Sequence, residues 1–277
     1  MAIPGKVQII PLDSATQLGP DAAGSVLVIG SQATAGPALW AAKAGVRALI
    51  LHDTGVGKDG AGLTALPFLQ ELGMPSACID SKSARISDGK DMLVRGIISH
   101  CNELAYGLGT AAGQSCQEAA ELMCQATPFE GQPDASEEPQ RHQLGEVNGI
   151  RIIGLDTMGL IQDEDAGQIM LTGSHGGLVG GGDPHKNPLA ATRGIGVKAA
   201  VFHDAGMCPD GSSTSRLPAL DLQNIPAVTV SAMSARISDA VSVYEDGELS
   251  MVNETARKLG TATGLSAADF CRMMAEK

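Results

Sequence analysis

Apolar runs of strand length alternate with helical patterns along this chain. Runs rich in Val, Ile, Leu and Ala lie near residues 7–12, 25–30, 46–51 and 75–80, and again near 150–155, 168–173, 197–202 and 226–231. Patterns with helical spacing lie near 35–44, 62–73, 187–195 and 213–223. Short, continuously apolar strands separated by helices predict a parallel sheet covered on both faces. Residues 243–250 carry Asp246 and Gly247 as a turn signal and predict a β-hairpin. Capping boxes at Ser115 with Glu118, and at Ser266 with Asp269 in place of Glu, predict a final helix in each half.

The same pattern occurs twice. Leu51-His52-Asp53-Thr54-Gly55 recurs as Phe202-His203-Asp204-Ala205-Gly206, an offset of 151 (203 minus 52). That offset also carries Ser83-Ala84-Arg85-Ile86-Ser87-Asp88 onto Ser234-Ala235-Arg236-Ile237-Ser238-Asp239. Over residues 45–115 roughly four positions in ten are identical without a gap, the signature of an internal repeat. Upstream the offset is 143 (156 minus 13), which aligns Leu12-Asp13-Ser14 with Leu155-Asp156-Thr157. The second copy therefore carries 8 extra residues (151 minus 143), and they fall in the glycine-rich stretch after His175.

The fold class expected is α/β: internally duplicated, pseudo-two-fold, three-layer αβα, with mostly parallel strands and a small hairpin in each half. Residues 1–123 form the first repeat, a scaffold half. Residues 124–149, rich in Pro, Glu, Gln and Asp, read as a polar linker. Residues 150–277 form the second repeat, which carries the candidate site. One continuous sheet and two separate lobes fit the pattern equally.

Composition narrows the function classes. The net charge is −12 and no basic run occurs, so nucleic acid is not an expected partner. No stretch approaches a membrane span, and the first residues lack a basic segment followed by an apolar run, so neither a membrane partner nor a secretory leader is expected. Six cysteines without CxxC or framework spacing suit reduced thiols and a cytoplasmic location. Aromatic content of only 3% alongside many Ala and Met residues suits a flat apolar interface, hence a homo-oligomer.

Ligands of open parallel sheets sit beyond the carboxyl ends of the strands. In the second repeat those ends present Asp156, Ser174-His175-Gly176-Gly177 and His203-Asp204, with Cys208 a few residues on. His175 is the leading acid/base candidate, because the first copy has Gln32 in its place. Ser174 and the amides of Gly176 and Gly177 are expected at the substrate, the two glycines as an oxyanion stabiliser. Cys208, where the first copy has Gly57, is the candidate nucleophile, and its structural alternative is a small buried thiol.

His203 and Asp204 are further catalytic candidates. Their counterparts His52 and Asp53 make a structural role the competing reading. Arg236 is a candidate clamp for a substrate carboxylate, or else the partner of Asp239, and Asp156 either contacts substrate or closes an Asx turn. No cofactor is expected. A divalent metal on Asp156, His175, His203, Asp204 and His185 is the alternative, without any spaced ligand motif behind it.

The function expected is hydrolysis of an amide-like or acyl bond in a small, anionic metabolite. The alternatives are an acid–base isomerase or lyase, a metal-dependent hydrolase, and a non-enzymatic anion-binding protein.

Overall fold

The computed structural model describes residues 7–131, 133, 138–181, 185 and 188–277. The chain forms two compact units: Met1–Asp53 with Leu63–Glu138, and Thr54–Gly62 with Pro139–Lys277. Each unit has its own sheet, so the expected parallel architecture is realised as two sheets of 5 and 6 strands.

In the first unit, β1 (Ile9–Leu12), β2 (Val26–Gln32), β3 (Ala48–His52) and β4 (Ser76–Ile79) run parallel in chain order. β5 (Ile98–Cys101) closes the edge antiparallel to β4. β2 is buried along its whole length because alternate residues serve two cores. Leu27 and Ile29 pack with Leu49 and Leu51 against α1 (Ala35–Lys43) and α2 (Ala65–Glu71). Val26, Val28 and Ile50 pack the other way, against α3 (Gly89–Arg95), α4 (Glu103–Gly107) and α5 (Cys116–Met123). Helices on both faces explain why these strands read as continuous apolar runs. The capping box of Ser115 and Glu118 is formed at the start of α5.

The second unit repeats this order. β6 (Arg141–Val147) and β7 (Ile150–Leu155) form an antiparallel pair, and β8 (Ile169–His175) and β9 (Ala199–His203) continue parallel to β7. α6 (Arg216–Asp221) leads to β10 (Ala227–Val230), and α7 (Ala240–Asp246) to the antiparallel β11 (Leu249–Val252). α8 (Glu254–Lys258) and α9 (Ala267–Glu276) complete the unit, with Ser266 capping α9 through the Asp269 N–H at 3.0 Å. Phe202 and Leu220 sit in the core on the α6 face, and Phe270 and Val243 in the opposite one.

Three expectations are corrected. Residues 243–250 are not a hairpin: Asp239 caps α7 by accepting the Ser242 N–H at 2.8 Å, and α7 then buries Ala240 and Val243. A cap followed by an apolar i, i+3 pair outweighs the Asp-Gly signal, which here marks a helix end. The hairpin of this unit pairs β7, expected as a strand, with β6, which lies in the stretch 124–149 that reads as a polar linker. Its turn residues Asn148 and Gly149 have φ of 52° and 78°, as a two-residue primed turn requires. In the first unit no hairpin occurs among the described residues. The helix expected near 187–195 is a 3₁₀ turn over Pro188–Thr192, stopped where Arg193 and Gly194 take φ of 54° and 83°, and residue 187 lies outside the described residues.

Asn253 shows how the sheet edge is tied to the helices. Its Oδ1 accepts the Ala227 N–H at 3.0 Å and the Ala256 N–H at 2.9 Å, while Nδ2 donates to the Ile225 carbonyl at 2.9 Å. Asn102 does the same for Ser76, Ala105 and Met74. Asn253→Ala leaves three buried backbone groups unmatched and is expected to cost about 2–4 kcal/mol, read from the urea midpoint. A midpoint within error of the parent would refute the role.

Candidate functional site

β8 places Ser174 and His175 at its carboxyl end, beside the end of β9. The Ser174 hydroxyl accepts the Met158 N–H at 2.9 Å, as the Ser31 hydroxyl accepts the Ala15 N–H at 3.0 Å in the first unit. Ser174 therefore fastens the start of a 3₁₀ turn through its hydroxyl oxygen.

His175 is 8% exposed, and its Nδ1 accepts the Gly177 N–H at 3.0 Å. A backbone N–H can donate only to an unprotonated nitrogen, so the proton of the neutral ring lies on Nε2. That makes His175 a donor, suited to polarising an oxygen, rather than a ready base.

The Gly176 N–H donates to the His203 carbonyl at 2.9 Å. Both glycine amides are thus spent inside the protein, which overturns their expected oxyanion role. The glycines are needed for a different reason. A Cβ at Gly176 would lie 2.9 Å from the Ser213 carbonyl oxygen, and one at Gly177 2.5 Å from that of Ser212.

His203 is not available for proton transfer. Its Nε2 is 3.0 Å from the Ala235 carbonyl, and its Nδ1 accepts the Ala205 N–H at 3.1 Å. Burial holds its pKa below the ordinary value, as it does for His52, whose Nε2 faces the Ala84 carbonyl at 3.3 Å. Both rings brace the Ser-Ala-Arg-Ile-Ser-Asp loop of their own repeat. Asp204 accepts from the Gly206 and Ala232 amides at 2.9 and 3.0 Å, tying the end of β9 to the end of β10. The catalytic expectation for His203 and Asp204 is corrected to this structural one.

Asp156 is similarly committed. It accepts from the Ala240 and Gln140 amides at 3.0 and 2.8 Å and stands 3.1 Å from His142 Nε2. Arg236 reaches Asp239 and Asp59, each at 3.0 Å, and these two hydrogen bonds raise its pKa. A substrate carboxylate would have to displace two carboxylates already in place, so the expected clamp is not formed. The metal alternative gains no donor set: among the described residues no three His, Cys, Asp or Glu gather to hold an ion, and His185 is exposed.

Cys208 is buried, its thiol 3.3 Å from the Ala205 carbonyl and its N–H donated to the Ser213 hydroxyl at 3.1 Å. The segment holding it, Pro209–Thr214, is the one against which Gly176 and Gly177 pack. The His175 turn and the Cys208 loop thus share one support.

Two residues of this region escaped sequence reasoning. Ser212 is 6% exposed, and its hydroxyl has no hydrogen-bond partner among the described residues. Arg216, at the start of α6, is also 6% exposed, and burial pushes its pKa down to about 10. At the 151-residue offset they replace Ala61 and Ala65. The signal was therefore present in the repeat comparison.

No helix among the described residues is long and apolar enough to cross a membrane. The chain matches no protein-family model, no curated protein and no solved structure in the comparisons made.

Proposed function

We propose that the chain is a small-molecule hydrolase acting on an amide-like or acyl bond, with its reaction at the carboxyl ends of β8 and β9. The observation that carries this reading is the shared support of the His175 turn and the Cys208 loop on Ser212 and Ser213. Neither His175 nor Cys208 has a counterpart of its type in the first repeat, where Gln32 and Gly57 stand.

In this reading His175 donates from Nε2 to the substrate carbonyl oxygen. The Cys208 sulfur attacks the carbonyl carbon, and the thiol proton leaves with the departing amine or alcohol. Water then releases the acid and restores the thiol. The isomerase or lyase alternative relied on His203 as a second proton carrier, and the commitment of both its ring nitrogens favours hydrolysis instead. We further propose an origin by duplication and fusion, with the first half as scaffold, and a cytoplasmic homo-oligomer whose cysteines stay reduced.

Iodoacetamide tests the nucleophile. Burial raises the pKa of Cys78, and that of Cys271 to about 12, so both should label slowly in the folded protein. Cys208 is expected to label about tenfold faster or more, and labelling should abolish turnover across a panel of acyl and amide substrates. Labelling of Cys208 no faster than Cys271 removes it from the mechanism.

A further inference from the structure

Arg216 is a buried cation surrounded by neutral groups. Its Nε donates to the Gly177 carbonyl at 3.0 Å, and Nη1 to the carbonyls of Ala190 and Ala191 at 3.1 and 2.6 Å. The guanidinium carbon stands 5.7 Å from the centre of the Phe202 ring. No carboxylate is among its partners in the described residues, and burial alone accounts for its lowered pKa.

A guanidinium carries five N–H groups. Three are used, which leaves the two on Nη2. Nη2 has no acceptor among the described residues, and the fully enclosed hydroxyl of Ser212, on the segment that Gly177 packs against, has none either. Leaving a buried charge without its opposite is costly, and mutual compensation is the usual solution. The acceptors of Arg216 also mark its location. Gly177 precedes the glycine-rich stretch that holds the extra residues of the second repeat, and Ala190 and Ala191 follow it. The described flanks of that stretch are held as well: Gln223 donates to the Pro188 carbonyl at 2.7 Å, and the Ser215 hydroxyl accepts the Leu178 N–H at 2.9 Å.

We propose that Arg216 supplies the counter-charge for a small oxyanion, a carboxylate or phosphate group, bound through Nη2 at the base of the inserted loop beside Ser212. The proposal deepens the hydrolase reading by giving the substrate its charged group, and rests on that reading for the reaction though not for the binding. The first repeat has alanine at both positions and no such loop, so it lacks the site. The anion completes the guanidinium's hydrogen bonds, and the loop carbonyls hold its plane in place.

The test is binding to the full chain, without turnover. Acetate and inorganic phosphate are titrated at constant ionic strength, with acetamide as the neutral control, and the melting temperature is followed. At least one anion should give a saturable rise that acetamide does not. In Arg216→Gln its affinity should fall about tenfold or more. Should that variant fail to fold, Ser212→Ala is expected to retain the parent fold and weaken the same anion. The absence of a saturable shift with either anion in the parent protein overturns the proposal, as does equal binding by a folded Arg216→Gln. Anion binding in a protein whose Cys208 labels slowly would defeat the hydrolase reading and leave this one standing, and the converse result would do the opposite.

Discussion

Acidification from pH 7 to pH 5 should destabilise this protein, at no more than about 2.7 kcal/mol per pH unit, the limit of one proton each for two histidines. His52 and His203 are at most 1% exposed, and burial lowers both pKa values below the ordinary 6.5. Protonating His203 would charge a sealed ring and place a second hydrogen on Nδ1, which already receives the Ala205 N–H. The folded state therefore keeps this ring neutral while the unfolded chain takes up a proton below pH 6.5. The sign follows: this contribution is complete above the unfolded value and lost as pH falls below it, until the lower folded value is reached.

Urea midpoints measured at pH 7, 6 and 5 check the slope. His203→Gln should cut the slope by about half, since an amide can still donate to the Ala235 carbonyl but does not titrate. An unchanged slope in the His52→Gln, His203→Gln double variant would show that other groups carry the acid sensitivity.

The repeat made much of this legible, and it also set the limits. His203 and Asp204 read as catalytic candidates by residue type, with their recurrence as His52 and Asp53 offering a structural role as the competing reading. Their ring and carboxylate hydrogen bonds run to backbone groups of the fold. Subtracting the first copy from the second isolated His175, Cys208 and the inserted residues. It would equally have isolated Ser212 and Arg216. A serine and an arginine at a helix start carry no motif, and only burial reveals their cost. The donor character of His175 was not legible at all, since it depends on which backbone amide lies 3.0 Å from Nδ1. Turn chemistry misled where a stronger local signal competed. Asp246 and Gly247 end a helix capped from Asp239, while Asn148 and Gly149 make the true hairpin within a strand polar enough to pass for linker.

Gly177→Ala should disable the site while leaving the sheet intact. The added Cβ would meet the Ser212 carbonyl oxygen at 2.5 Å and His175 Nδ1 at 2.9 Å. The first contact is with backbone, and the second is with the acceptor of the residue's own N–H, so neither can move alone. Relief requires Gly177 to withdraw from the 3₁₀ turn that carries Ser212, and withdrawal breaks the Gly177-to-His175 hydrogen bond. Strain of this kind costs about 1–3 kcal/mol.

The larger consequence is chemical. Without that amide, His175 loses the group that keeps its proton on Nε2, and the ring becomes free to exchange tautomers or to protonate. Nitrogen-15 spectra of imidazole-labelled protein should show a single Nε2–H tautomer for His175 in the parent and a mixture in the variant. Hydrolytic turnover, where found, should fall about a hundredfold or more with the oxygen-polarising donor misplaced. Gly196→Ala serves as the control, since a Cβ there meets nothing within 4 Å and should change neither stability nor tautomer. A Gly177→Ala protein with parental stability and a single Nε2–H tautomer would mean that His175 is oriented by something other than this amide.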